Sequence, residues 1–382
     1  MHADSFSLPE PDAAARVASR ALVAQIEQEL RARGNWMSFA RYMALALHAP
    51  GLGYYAGGAI KFGAAGDFVT APELGTLFAR TLARQVVELL TPGDAVLEFG
   101  AGSGALADAL TDAMTELGAR PDYLILEPSA ELVDRQRARV RAPARWIAAL
   151  PARFRGVVIA NEVLDAMPVH ALAWTAQGIV ERGVCVNEGQ LAWCERPAVG
   201  EVLAAAQALP VETREPGERY ESELNLAAGA WIRTLAERLE RGAILVVDYG
   251  FPTREYYHPQ RTSGTLMCHY RHRAHGDPFF LPGLQDITAH VDFAALAGAA
   301  QDTGLEVLGY ANQAQFLVNC GVTDLLGEAD ASDVRRYAPL AAEAQMLLSP
   351  AEMGELFKVL AVGRGVDAPL RGFTSGDRTH TL

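Results

Sequence analysis

The segment Val96-Leu97-Glu98-Phe99-Gly100-Ala101-Gly102-Ser103-Gly104 places three glycines at alternate positions where an apolar run gives way to a helical pattern. The run AVLEF (95–99) follows the turn residues TPGD and reads as a buried strand, with a helix over 105–117 behind it. Glycines at such a junction let a ligand approach the backbone closely. The next apolar run, YLILE (123–127), ends on Glu127. A carboxylate about 20 residues beyond a glycine loop can accept hydrogen bonds from both ribose hydroxyls of an adenosine. Loop and carboxylate together describe a nucleoside pocket; the loop alone would also suit a purely structural turn.

The spacing narrows the nucleoside. A dinucleotide loop is G-x-G-x-x-G, but the third glycine position is occupied here by Ala105. Glu98, two residues before the first glycine, repels a pyrophosphate and attracts an ammonium such as that of a methionine moiety. The loop therefore fits S-adenosylmethionine better than NAD, with Glu98, Gly100, Gly102, Gly104 and Glu127 as cofactor-binding residues.

Working outward, a βαβ rhythm surrounds this segment. A helix over 73–90 precedes it, and a helix over 129–141, a strand near Trp146 and the strand GVVIANE (156–162) follow. The stretches ALAWTA, GIVERGVCVNEG and QLAWCE then alternate with turn residues and read as antiparallel hairpins. A helix over 224–239 leads to the fifth core strand, AILVVDYG (243–250). Further on come a helix over 292–303, the strand LEVLGY (305–310) and the run LFKVLAVG (356–363), expected as a final edge strand. Near the start, helices fit 15–33 and 38–48, the second with Ser38 as N-cap. A glycine- and aromatic-rich loop spans 51–72.

This pattern predicts a disordered stretch at 1–15, a helical and loop cap over 16–90, a core over 91–365 with insertions near 171–222, 251–290 and 313–350, and a flexible tail at 366–382. No internal repeat is visible.

Of the 382 residues, 50% are apolar and 21% charged, which suits a chain that buries a sizeable core. A net charge of −13 argues against broad binding to a phosphate backbone and suits a cationic partner, or simply keeps the surface soluble. The four cysteines show no CxxC spacing and read as reduced thiols in a cytoplasmic protein. Neither a targeting segment nor a run long enough to span a bilayer is expected.

Long blocks resemble a known family: MSFARYMALALHAPGLGYYA (37–56), FGAAGDFVTAPELG (62–75), LEFGAGSGALA (97–107), IANEVLDAMPVH (159–170), VVDYGFP (246–252), DITAHVDFAALA (286–297) and MGELFKVLA (353–361). They occur in the order found in a bacterial and mitochondrial family whose mitochondrial members are the complex I assembly-factor protein-arginine methyltransferases. The resemblance implies a class I methyltransferase fold, that is, a Rossmann-like, mostly parallel seven-stranded sheet with an N-terminal helical cap and inserted hairpins. It implies S-adenosyl-L-methionine as cofactor and a protein arginine as acceptor, in the mitochondrial case on a respiratory NADH dehydrogenase subunit. It also folds the loop carrying Asp67, Thr70 and Glu73 over the cofactor. One departure is Ala148 and Ala149, where a polar residue often meets the adenine amino group.

Methyl transfer is an in-line displacement in which the protein aligns the reactants and excludes water. A guanidinium acceptor, with a pKa above about 12, needs carboxylates that orient it as its proton leaves. Asn161, Glu162 and Asp165 follow the fourth strand, where ligand crevices open. They are the catalytic candidates, with capping of a following helix as the competing role for Glu162 and Asp165. Asp67, Asp248, Tyr249 and His290 are candidates for acceptor binding, and Thr70 and Glu73 for the cofactor; a first-turn position at Glu73, or a buried structural bond at Asp248 or Tyr249, competes. Tyr256, Tyr257 and Tyr270 either wall an acceptor channel or pack the insertion. His269, His272, His275 and His290 invite zinc, but no tetrahedral ligand set is evident and no metal is expected. Rival functions are an assembly chaperone on a degenerate methyltransferase fold, or methylation of RNA or a small molecule. The acidic charge counts against RNA.

Overall fold

The computed structural model describes residues 8–57, 70–212 and 218–382. Contacts divide the chain into two units. One draws on Thr70–Asp165, Ala227–Tyr256 and His290–Leu382, the other on the described parts of Met1–Val69, Ala166–Leu226 and Tyr257–Ala289.

The first unit is built on seven strands: β1 (Ala95–Phe99), β2 (Asp122–Leu126), β3 (Arg145–Ile147), β4 (Phe154–Asn161), β5 (Leu239–Phe251), β6 (Glu306–Asn312) and β7 (Phe357–Arg364). Their order is β6-β7-β5-β4-β1-β2-β3, and Val291–Asp292 pairs with the end of β5 off this path. Strands β1 to β5 run parallel to one another, whereas β7 is antiparallel to both β5 and β6. This is the mostly parallel seven-stranded sheet that the sequence predicts. Near-continuous apolar runs such as Val157–Ala160 and Ala243–Val247 are buried along their whole length, as a sheet covered on both faces requires. Helices α1 (Leu77–Leu89), α2 (Ala105–Glu116), α3 (Ala130–Arg139), α4 (Leu226–Arg238) and α5 (Phe293–Gln301) accompany the strands.

Two glycines at the strand starts permit the close pairing of β1, β4 and β5. Gly156 and Gly242 both have φ of +125°, and a Cβ on them would stand 1.9 Å from the Ala95 carbonyl oxygen and 1.8 Å from that of Gly156.

Several expectations need correction. The run 356–363 is not an edge strand: β7 is inserted between β5 and β6, and all its residues but the last are buried. Its Val and Ala side chains suit burial on both faces, which an edge position would not provide. The helix expected over 73–90 is broken into Ala71–Leu74 and α1. At the break, Glu343 accepts hydrogen bonds from the backbone N–H of Leu77 (2.6 Å) and Phe78 (3.4 Å), and a Cβ on Gly75 would collide with that carboxylate. Residues 70–90 consequently group with the sheet rather than with the preceding cap. The tail 366–382 is not loose. Leu370 and Phe373 are buried, Phe373 packs on Phe316, and Arg378 pairs with Glu355 at 2.6 Å. At the other end, Asp12 caps a helix beginning at Ala13, inside the stretch expected to be disordered; residues 1–7 lie outside the described ones.

The second unit holds the helices Ala13–Ala32 and Phe39–His48, the latter capped by Ser38, and an antiparallel sheet ordered Met37–Ser38, Gly178–Asn187, His170–Thr175, Tyr220–Leu224, with Gln190–Pro197 on Gly178–Asn187. The expected hairpins are thus present. Leu22, Ile26 and Leu30, one helical face, join Phe39, Tyr42 and Met43 in its core.

Candidate active site

All the described candidate residues lie in the sheet unit, and most cluster at the carboxyl ends of β1, β2, β4 and β5. Asp67 lies outside the described residues.

The glycine loop turns from β1 into α2 with φ of +57° at Gly100, +53° at Gly102 and +85° at Gly104, a left-handed series that side chains rarely adopt. Gly104 is also closely packed: an added Cβ would stand 3.1 Å from Val140 Cγ2 and 3.3 Å from Gln136 Cα. Glu127, at the end of β2, is oriented by the Ser129 N–H on one oxygen (3.0 Å) and the Gln136 amide on the other (3.0 Å). Glu73 bonds the Ser103 hydroxyl, and Arg139 bridges both, at 3.0 Å to Glu73 Oε1 and 2.6 Å to Ser103 Oγ. Thr70 sits at the N-cap of Ala71–Leu74 without its hydroxyl capping that turn.

Glu98 takes a different place from the one its sequence position suggests. Its carboxylate is buried and accepts the Tyr123 hydroxyl at 2.7 Å, so it supports the sheet beneath the loop rather than meeting an ammonium. Burial raises its pKa to about 7, against the Tyr123 bond and with help from the charge of Glu127.

At the end of β4 the chain makes a strained turn. Glu162 has φ of +52°, its N–H donates to the Val247 carbonyl (2.9 Å), and Asn161 Nδ2 donates to Glu162 Oε1 (3.3 Å). Asn161 Oδ1 is a buried acceptor with no hydrogen-bond partner among the described residues. Asp165 accepts the Tyr249 hydroxyl at 2.6 Å, and Tyr249 meets His290 and Phe357 edge-on, with ring centroids 5.1 and 5.4 Å apart.

Asp248 does not face an acceptor. It is 0% exposed; Oδ2 accepts the backbone N–H groups of Val163 (3.2 Å), Leu164 (2.9 Å) and Asp165 (3.3 Å), and Oδ1 accepts that of Tyr249 (2.9 Å). It holds the turn that presents Glu162 and Asp165. Burial, reinforced by Asp165 and Glu162, pushes its pKa well above the usual carboxylate range, opposed by the backbone bonds.

Tyr256, Tyr257 and Tyr270 are buried, which favours packing over a channel wall. His269 and His275 lie on the hairpin Met267–Tyr270/Arg273–His275, with His272 in its left-handed turn; no metal-holding group of His, Cys, Asp or Glu occurs among the described residues. Sequence reading missed Ser103, Tyr123, Gln136, Arg139 and Trp146. For Gln136 a signal existed: it falls four residues after Leu132, on the one buried face of a helix otherwise rich in charge.

The site fits a sulfonium nucleoside. The glycine loop turns in left-handed backbone, Glu127 is a fixed carboxylate at the end of the next strand, and the acidic groups nearby suit a cationic ligand. Fold and site together define a nucleoside-dependent group-transfer enzyme of the methyltransferase class. A family model described as "Putative S-adenosyl-L-methionine-dependent methyltransferase" matches residues 77–311, and the chain belongs to that family. Its cofactor is S-adenosyl-L-methionine. A Burkholderia thailandensis protein solved bound to S-adenosyl-homocysteine is 49% identical, with a TM-score of 0.94 over 98% of this chain and 100% of that one. The mitochondrial protein arginine methyltransferase NDUFAF7 of Danio rerio is 29% identical over 85% of this chain and 83% of its own length. Its Homo sapiens counterpart is 28% identical over 85% and 80%.

Proposed function

We propose that this methyltransferase acts on the guanidinium of an arginine in a protein substrate. The observation that carries the reading is the turn after β4, which gathers Glu162, Asp165 and the unpartnered acceptor Asn161 Oδ1 at the end of the strand beside β1. Hydrogen-bond acceptors gathered at one strand end suit a planar donor group with five N–H bonds. The names of the relatives, protein arginine methyltransferases, support the same acceptor.

S-adenosylmethionine, when bound, supplies an electrophilic methyl group on a cationic sulfur. Glu162 is assigned to grip the guanidinium and to bias its charge away from the attacking nitrogen. Asp165, held by Tyr249, is assigned to fix the orientation of the group and to receive its proton as transfer proceeds. We further propose that the acceptor belongs to a respiratory NADH dehydrogenase subunit, by the family resemblance. We place the reaction in the cytoplasm, a reading supported by four unbridged cysteines, while the relatives' names place those proteins in mitochondria.

Incubating the protein with tritiated S-adenosylmethionine and a cell lysate, then mapping the label by mass spectrometry, tests this. Label on arginine of one or a few proteins is expected. Label confined to RNA, small molecules or other side chains would reject the arginine reading.

A further inference from the structure

We infer that Gln136 is a positioning residue of the nucleoside site, locking the Glu127 carboxylate to the backbone of the glycine loop. This rests on the reading of Glu127 as the ribose carboxylate.

Gln136 is fully buried on α3, and its amide is spanned by three partners of fixed chemistry. Nε2 donates to Glu127 Oε2 at 3.0 Å and to the Gly102 carbonyl at 3.0 Å, while Oε1 accepts the Trp146 indole N–H at 2.9 Å. A carboxylate and a carbonyl can only accept, and an indole N–H can only donate. The amide therefore has one orientation, which follows from the partners rather than from a choice between O and N. With both N–H bonds committed, the amide ties the end of β2 to Gly102, and Trp146 on β3 prevents it from flipping.

Gln136 thereby connects three successive strand ends that frame the nucleoside. The ribose carboxylate and the left-handed Gly102 are held in one relation before any ligand arrives, and that preorganisation lowers the ordering cost of binding. A buried network of this kind is strong while complete and weak once a member is lost. Gly104 fits the same purpose: its missing side chain lets the Gln136 backbone approach the loop closely enough for the amide to span both groups.

The test is a double-mutant cycle read by calorimetric titration of S-adenosylhomocysteine into the full-length protein. Gln136→Met, similar in volume but unable to donate, is expected to weaken binding about tenfold at unchanged stoichiometry of the folded fraction. On a Glu127→Ala background the same substitution is expected to change affinity less than about twofold, because its effect runs through Glu127. A merely structural role would lower the folded fraction without this non-additivity. Should Gln136→Met not fold, Trp146→Phe, which removes the donor that sets the amide orientation, enters the same cycle with an expected loss of about threefold. Wild-type affinity in the Gln136 variant, or an equal penalty on both backgrounds, overturns the inference alone. Unchanged affinity in Glu127→Ala overturns the ribose reading and the inference with it.

Discussion

Glu162 combines a left-handed backbone with a carboxylate beside Asn161, and the two features pull in opposite directions. A positive φ at a residue with a side chain costs on the order of 1–3 kcal/mol, held here by the bonds from Val163, Leu164 and Asp165 to Asp248. Glu162→Gly should therefore stabilise the fold by about 1 kcal/mol in urea denaturation while reducing methyl transfer by about 100-fold or more. Glu162→Gln, with the same shape, should slow transfer about as strongly and leave S-adenosylhomocysteine affinity within about threefold. Equal turnover in either variant would move the acceptor to another residue. Glu98 gives a pH prediction. Its folded pKa of about 7 lies above the 4.5 of an exposed glutamate. The stability associated with its neutral form is thus fully present below pH 4.5 and is lost as pH rises through 7. Glu98→Gln keeps an acceptor for Tyr123 and should flatten that decline, leaving the variant more stable by on the order of 3 kcal/mol at pH 8. Parallel stability–pH curves for the two proteins would show that the carboxylate is not held as the structure has it.

At the scale of elements, the paired starts of β1, β4 and β5 set the register of the sheet, and through it the height at which the turn carrying Glu162 and Asp165 emerges beside the glycine loop. The glycine at 156 faces Ala95 on one side and Gly242 on the other. A methyl group there meets backbone on a neighbouring strand, which cannot move aside as a flexible side chain would. Gly156→Ala should cost at least about 3 kcal/mol by urea denaturation, more than an ordinary strand glycine substitution. A loss below about 1 kcal/mol would mean the strands separate easily. Much of this level was readable: β1 carries its predicted limits, and the other core strands shift by only a few residues, because buried parallel strands appear as apolar runs bounded by turn residues. The placement of β7 was not readable. An apolar run shows that a strand is buried, but the partners on its two edges are set by chain segments far away in sequence.

At the scale of the molecule, the C-terminal residues close the sheet unit instead of trailing from it. Phe373 sits where Gly309 leaves room and packs on Phe316, which sits where Gly372 does, with Arg371 on Glu88 and Arg378 on Glu355. Phe373→Ala is expected to cost about 3 kcal/mol and to lower the thermal midpoint, measured by calorimetry. A change near zero would return the tail to the flexible state its polar composition suggests. The sequence by itself determined the class of fold, the glycine loop, the carboxylate that ends the second strand and the acidic turn after the fourth, because each rests on neighbours in the chain: a strand, a few glycines, a carboxylate at a strand end. Only the tertiary structure decided that Asp248 supports a turn, that Glu98 lies beneath the loop and that Gln136 joins Glu127 to Gly102. Those roles depend on which side of the backbone a polar group finds its partners. Burial and long-range hydrogen bonding fix that side, and no local pattern of residues encodes it.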